Sequence, residues 1–552
     1  MPIRVVVLLV ALSIAAGGSR AGPAGLALPD PWSAAAAEQV LADGGNAVDA
    51  AVAAAFVLAV TCPQAGNIGG GGFLLGTFDG EAYFLDFRER APAAAQRDMY
   101  LDEQGRVVSE LSMVGSLAVG VPGTVRGLAA AHRRFGSRPW PDLVAPAIRL
   151  AREGFVIPAG MAALVAERLE EVGGETNFAE YFGTVRDGQR FRQPELGATL
   201  ALIAADPDSF YQGLPARQLV AQMRASGGLV TLRDLADYRA VWRQPLRARW
   251  RHFEVVTAPP PSSGGIALLQ LLSMRDILSD HFDGVPHNSA RYVHLLAELE
   301  KRVFADRAEY LGDPDHVDVP VARLLAADYL AARAAGVDPA AISPAGAVPA
   351  GLESTDTTHL SIVDAAGNAV SLTYTLNWDF GAGVVVAGAG YLLNNQMDDF
   401  SASPGVPNVF GVVGNARNAI APGKRMLSSM TPTILLQQGE PVLVLGTPGG
   451  STIFTSVFQV LLNLYDHGMS LQAAVDALRF HHQLPEADLV RHDRRAIPGA
   501  TRSGLERMGY RVQANDWGDL GDVQAVQIRG GAVTAASDGR SYGEARVTPS
   551  SP

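Results

Sequence analysis

The sequence predicts an α+β fold built in layers, and three features carry that reading. Helices alternate with strands ahead of residue 331, a loose Ala/Gly/Pro-rich stretch (331–353) follows, and from Thr357 onward alternating, β-branched segments dominate with helices among them. A chain of 552 residues has room for a very large core, and 48% hydrophobic against 18% charged residues argues against wholesale disorder. The net charge of −12 gives nucleic-acid binding no electrostatic support. A lone cysteine, Cys62, excludes an internal disulfide and reads as a buried small hydrophobe. Lys301 and Lys424 are the only lysines, so lysine chemistry has few candidates.

Taken in order, the chain opens with a basic Met1–Arg4, an apolar run from Val5 to Ala16, and small residues at Ser19 and Ala21. This predicts a secretory signal peptide, residues 1–21, cut after Ala21; an uncleaved anchor is the alternative. The run is short for a membrane span, and no later segment reads as one, so an exported protein with no membrane span in its mature form is expected. SAAAAEQVLADGG and NAVDAAVAAAFVLAV then read as two helices parted by Gly44-Gly45. The second has only Asn46 and Asp49 as polar members, so it must be covered on most sides. QAGNIGGGGFLLGTF is a glycine loop entering a strand, and EAYFLDFRERAP a second strand, joined in a hairpin at Asp79-Gly80. Trp140 to Leu235 reads as helices with polar loops. FEVVTAPPPSSGG is extended, IALLQLLSMRDIL helical, and Ser289 to Tyr310 an amphipathic helix. Residues 331–353 read as a surface linker. THLSIVD, NAVSLTYTLN, PTILLQQ and PVLVLGTPGG are strands, SVFQVLLNLYDHG a helix, and the end is strand-like again.

The pair of strands after Thr357 has two unlike faces. If Asp364 to Asn368 is the loop and Val363 pairs with Ala369, Thr357 falls opposite Thr375. Alternate residues share a face, so Thr357, His359, Ser361, Ser371, Thr373, Thr375 and Asn377 line one side. Leu360, Ile362, Val370, Leu372, Tyr374 and Leu376 line the other, which must pack on something. Hydroxyl pairs across a solvated sheet would explain the polar side structurally. The neighbouring motifs favour a functional reading: Asn394-Asn395-Gln396, Asp398-Asp399, Ser428-Ser429, and the glycine turns GGGG and GTPGGS.

TTHLSIVDAAGNAVSLTYTLNWDFG resembles the signature of the gamma-glutamyltransferase (gamma-glutamyltranspeptidase, glutathione hydrolase) family. The likeness extends over NAVDAAVAA, PQAGNIGGGGF, DFRERAP, GVPG, ADRAEYLGDP, LLNNQMDDF, KRMLSSMTPTI and GTPGGS. It implies an N-terminal-nucleophile hydrolase with a four-layer αββα sandwich. It also implies a precursor that cuts itself between Asp356 and Thr357, into a large fragment (22–356) and a small one (357–552) that stay together as a heterodimer. No cofactor or metal is implied. Small γ-glutamyl compounds such as glutathione are the implied donors, with water, amino acids or dipeptides as acceptors.

Carried over residue by residue, Thr357 is the nucleophile. A new terminal amine with a pKa of about 8 can take the proton of its hydroxyl. Thr375 helps to activate it, and His359 is implied to be a structural member of the strand. Gly449 and Gly450 resemble the pair whose N–H groups form an oxyanion hole. Arg88 resembles the arginine that clamps the α-carboxylate, a task for a planar fork, with Ser428 and Ser429 as hydroxyl partners. Asp399 is the implied acceptor for the α-ammonium, with Asn377 and Gln396 completing the pocket. Arg90, expected on the same strand face as Arg88, competes for the clamp. Two departures stand out: Trp378-Asp379 follows TLN, and Phe410, in a loop expected to cover the pocket as a lid, stands where lidded bacterial relatives carry tyrosine. A glutaryl-cephalosporin acylase is therefore the alternative activity. His481-His482 reads as a packed or solvent-facing pair, because adjacent residues rarely share a metal.

Overall fold

The computed structural model describes residues 22–344, 356–402, 416–484, 486–515 and 518–549. The leader, Phe410, and residues 345–353 of the expected linker lie outside these. Among the described residues, alternating apolar residues and tight turns produce two large antiparallel sheets of thirteen strands, beside two small sheets. In the first are β1 (Ala24–Leu28), β2 (Gly71–Phe78), β3 (Glu81–Asp86) and β4 (Val241–Arg243). The second takes β5 (Leu246–Trp250) and β6 (Phe253–Thr257). The first then gains β7 (Asp356–Val363) and β8 (Ala369–Asn377), and the second β9 (Thr433–Gln437), β10 (Glu440–Gly446), β11 (Gln524–Arg529) and β12 (Ala532–Ser537). Last, β13 (Glu544–Thr548) joins the first. The spatial orders are β13-β1-β7-β8-β2-β3-β4 and β12-β11-β10-β9-β6-β5. The hairpin that starts at Thr357 is thus central in its sheet, not an edge.

Helices cover each sheet on its outer side. α1 (Pro31–Ala42), α2 (Ala47–Thr61) and α3 (Trp140–Glu153) share one apolar core with the even-numbered residues of β7 and β8. All fifteen residues of α2 are buried, and its Ala55 carbonyl takes the Tyr374 hydroxyl at 3.0 Å. The polar residues at its start do local work: the N-cap Asn46 and Asp49 form a capping box, and Asp49 also accepts from Ser137. α4 (Gly264–Ile277), α5 (Ala290–Tyr310) and α6 (Ile453–Tyr465) cover the second sheet. Between the sheets lies a smaller apolar layer with Phe73, Phe84, Val256, Ile434, Val444 and Val526. The architecture is the αββα sandwich expected.

The polar side of the hairpin faces the second sheet, not solvent. Ser361 Oγ donates to the Gln524 carbonyl at 3.0 Å, and Ser371 Oγ to the Leu445 carbonyl at 3.1 Å. His359 is fully buried, its ring engaged with Thr373 Oγ1 (2.7 Å) and Ser361 Oγ (3.1 Å). Burial lowers its pKa to about 3, so it stays neutral and holds the strand. Satisfying each hydroxyl locally is what makes a polar layer tolerable between two sheets.

Two expectations need correction. The linker cannot begin at residue 331, because Ala327–Ala335 is a helix. Alanine is the best helix former, and Leu330 and Ala334 pack into the second core. Arg88 and Arg90 also lie beyond the end of β3 at Asp86, so they share no strand face.

Candidate active site

The expected register holds from Val363/Ala369 to Thr358/Tyr374 and then shifts, because the next pair is Asp356/Asn377. Thr357 is therefore faced by Thr375 and Leu376 together, not by Thr375 alone, as in a β-bulge. The bulge has visible causes. Asn377 adopts φ 86°, and its N–H donates to Thr375 Oγ1 at 2.8 Å. Its side-chain amide reaches the Asn395 carbonyl at 3.2 Å, and the Trp378 N–H reaches Asn395 Oδ1 at 3.1 Å. The departure bends the strand end towards the Asn394–Asp399 segment.

On its other side Thr375 pairs with Gly71. The glycine run lets this strand lie flush: a Cβ on Gly70 would sit 2.0 Å from the Thr375 carbonyl oxygen. Gly70→Ala is expected to destabilise the fold by roughly 1–3 kcal/mol and to slow turnover as Thr375 shifts. Thermal unfolding beside kcat measures both.

Thr357 is half-buried and opens, with Gly449, onto a cavity of about 210 Å³. Gly449 (φ 128°) and Gly450 (φ 53°) turn the chain sharply before the short 3-10 turn Gly450–Thr452 and α6. Both angles lie where glycine is favoured, and the turn ends at a helix N-terminus, a setting that suits a developing oxyanion. A larger groove of about 880 Å³ at the loop end of the hairpin, lined by Glu38, Gln39, Asp364 and Asn368, contains none of the expected site residues.

The charged residues converge as a group. Arg88, 1% exposed, donates to Asp399 Oδ2, to the Leu427 carbonyl (3.1 Å) and to the Met426 carbonyl (3.4 Å). This brings the buried Ser428 and Ser429 alongside; Ser428 Oγ accepts the Met430 N–H at 3.1 Å, and Ser429 Oγ lies 3.4 Å from Ser263 Oγ. Gln396 Nε2 donates to Asp399 Oδ2 at 2.7 Å. Asp399 Oδ1 and Gln396 Oε1 are buried with no hydrogen-bond partner among the described residues. Burial raises the Asp399 carboxyl against the pull of Arg88 and Gln396. Two acceptors are therefore open in a buried site, and a buried orphan acceptor is costly unless a ligand supplies the donor. Arg90 instead turns its Nε to the Gly423 carbonyl at 2.6 Å. His481 and His482 are buried and engaged with Thr455, Gln483 and the Leu489 carbonyl.

Two residues of this region escaped the sequence reading, and a third, Asp379, stands there only as a departure without a role. Glu89 has both carboxyl oxygens buried with no hydrogen bond from any described residue, Oε2 lying 3.7 Å from Arg88 Nη1, and burial raises its pKa to about 8. Arg307 Nε donates to Ser263 Oγ at 3.1 Å, and its charge acts on Asp399. Asp379 lines the cavity beside Thr357. Glu89 and Arg307 stand inside quoted motifs, DFRERAP and ADRAEYLGDP, but a single charged letter there signals nothing until the fold buries it.

Comparisons with known proteins identify the family of the chain. A family model described as Gamma-glutamyltranspeptidase matches residues 33–548. The glutathione hydrolase proenzyme of Pseudomonas aeruginosa is 55% identical over 549 residues, 98% of each chain. A solved gamma-glutamyltranspeptidase from Pseudomonas nitroreducens, complexed with L-DON, is 53% identical; the match covers 58% of this chain and 96% of that one at a TM-score of 0.58. A cephalosporin acylase from Bacillus halodurans superposes at a TM-score of 0.85 with 28% identity, covering 99% of this chain and 97% of that one. The chain belongs to the gamma-glutamyltranspeptidase family of self-processing γ-glutamyl hydrolases and transferases.

Proposed function

We propose that Thr357, freed as an amino terminus by cleavage after Asp356, carries the γ-glutamyl group as an ester and passes it to water or to an amine. In this reading its own α-amine takes the hydroxyl proton, Thr375 steadies the oxygen, and the Gly449–Gly450 turn stabilises the oxyanion. Arg88, with Ser428 and Ser429, receives the α-carboxylate. Asp399 receives the α-ammonium, with Gln396 and Asn377 beside it. Glutathione is the proposed donor, residues 22–356 and 357–552 the two subunits, and the periplasm or the extracellular medium the location. Among the described residues no helix is long and apolar enough to cross a membrane.

The observation that carries the donor assignment is the orphaned Asp399 Oδ1 beside the Arg88 clamp. A glutamyl head group brings an ammonium to fill it. A glutaryl group brings none, which weighs against the cephalosporin-acylase alternative despite the similar fold of the Bacillus halodurans enzyme. The wild type should use a γ-glutamyl anilide at least about a hundredfold better than a glutaryl anilide in kcat/KM, a difference of about 2.7 kcal/mol, within the range for truncating one partner of a buried charge pair. Equal use of the two overturns the assignment.

A further inference from the structure

We propose that the cavity beside Thr357 is the acceptor pocket, and that the Asp379 carboxylate takes the proton from an incoming α-amine. This rests on Thr357 as the acyl carrier. An acyl-transfer centre needs one side to grip the acyl group and another to hold the amine that leaves or replaces it. Arg88, Gln396, Asp399, Ser428 and Ser429 form the first side, and none of them lines the cavity of about 210 Å³ onto which Thr357 opens.

Gln64, Asp379, Asp519 and Asp522 stand in the wall of that cavity, together with Arg540, whose guanidinium is paired with Asp493 and Asp538. Gln64 is 8% exposed; its amide nitrogen donates to the Tyr542 hydroxyl at 3.2 Å, and its buried Oε1 has no partner among the described residues. Asp522 Oδ1 accepts from Gln524 Nε2 at 3.1 Å, and its carboxyl also bonds Ser541. No described residue donates a hydrogen bond to the Asp379 carboxyl, whose charge environment is Arg168 opposed by Glu167 and Glu171. Around Asp522 stand Asp538, Arg479 and Arg540. Burial lifts both carboxyls to about 7, near the pH at which a general base works well. Cys62 shares this wall, but burial and the charges of Asp30, Asp379 and Asp522 hold it as the neutral thiol. A wall this rich in acceptors suits a molecule that arrives as an ammonium.

The chemistry balances without another reactant. The ammonium gives one proton to the Asp379 carboxylate, and the neutral nitrogen attacks the carbonyl carbon of the Thr357 ester. Collapse breaks the bond from that carbon to Thr357 Oγ, which regains a proton from the attacking nitrogen through the terminal amine; Asp379 then releases its proton to water. The cavity falls below the usual range of small-molecule pockets, so small amino acids and short peptides with a free α-amine are the class it fits. Acidic side chains on the acceptor are disfavoured by Asp379 and Asp522.

The test uses the mature two-fragment enzyme with a γ-glutamyl anilide as donor and glycylglycine as acceptor. In Asp379→Asn the ratio of transfer to hydrolysis should fall at least tenfold at pH 7. It should recover towards pH 9, where the acceptor amine deprotonates unaided. Gln64→Leu, which leaves both carboxyls in place, should raise the KM for glycylglycine and decides the matter if Asp379→Asn fails to mature. Transfer and hydrolysis falling in parallel at every pH, or an unchanged ratio in both variants, overturns the acceptor pocket alone. A wild type that does not turn over the donor overturns the γ-glutamyl reading and this inference together.

Discussion

Thr357→Ala is expected to remain a single chain and to lose γ-glutamyl turnover by a factor on the order of 10⁶, as removal of a catalytic nucleophile does elsewhere. One hydroxyl is assigned two successive tasks, attack on the carbonyl of Asp356 and later attack on the donor amide, so its deletion should abolish both together. Neither His359 nor Cys62 can take over: His359 is buried, neutral and bonded to Thr373 and Ser361, and the Cys62 thiol is held protonated by burial. Thr357→Ser keeps the hydroxyl and should still yield two fragments, the smaller beginning at Ser. A denaturing gel with intact-mass measurement, followed by kcat/KM on each product, separates the two tasks. Wild-type protein that stays at full length yet is fully active would remove Thr357 from the mechanism.

The sequence made the central hairpin legible because its information is local. Period-two alternation assigns the faces, and Asp364 closes the loop by accepting the N–H groups of Ala366 and Asn368 at 2.9 and 3.0 Å. The register therefore follows from the loop for six pairs. It fails at the end that matters for chemistry, where Asn377 leaves the ladder to bond Asn395, a partner that no periodicity reveals. The destination of the polar face was equally hidden. Ser361 and Ser371 look solvent-ready in isolation, and only the strands of the second sheet, at Gln524 and Leu445, make them interior. The pairing of Arg88 with Asp399 spans 311 residues and was reached through resemblance, since neither residue is unusual by itself. Alanine caused the opposite error: its abundance in 331–335 suggested a featureless linker, where helix propensity and the burial of Ala334 prevail.

Arg88→Lys is expected to weaken donor capture by roughly 2–5 kcal/mol, the range for disabling one partner of a buried, hydrogen-bonded charge pair, while leaving two fragments. Charge is retained, but geometry is not. The guanidinium of Arg88 holds Asp399 and the carbonyls of Leu427 and Met426 at once, whereas a lysine presents a single, strongly hydrated ammonium on a flexible stem. The loss should therefore appear in kcat/KM for the γ-glutamyl anilide and for the glutaryl anilide alike, since both keep the carboxylate that Arg88 is proposed to hold. Glu89 adds a pH dependence with a definite sign. With a pKa of about 8, it is neutral at pH 7 and leaves Arg88 free for the substrate carboxylate. Above pH 8 its carboxylate, 3.7 Å from the guanidinium, competes for the same charge, so the wild-type donor KM should rise there. Glu89→Gln should flatten that rise. A KM that falls above pH 8, or an Arg88→Lys enzyme as efficient as the wild type on the γ-glutamyl anilide, would show that Arg88 is a structural member of the site and that the substrate carboxylate is held elsewhere.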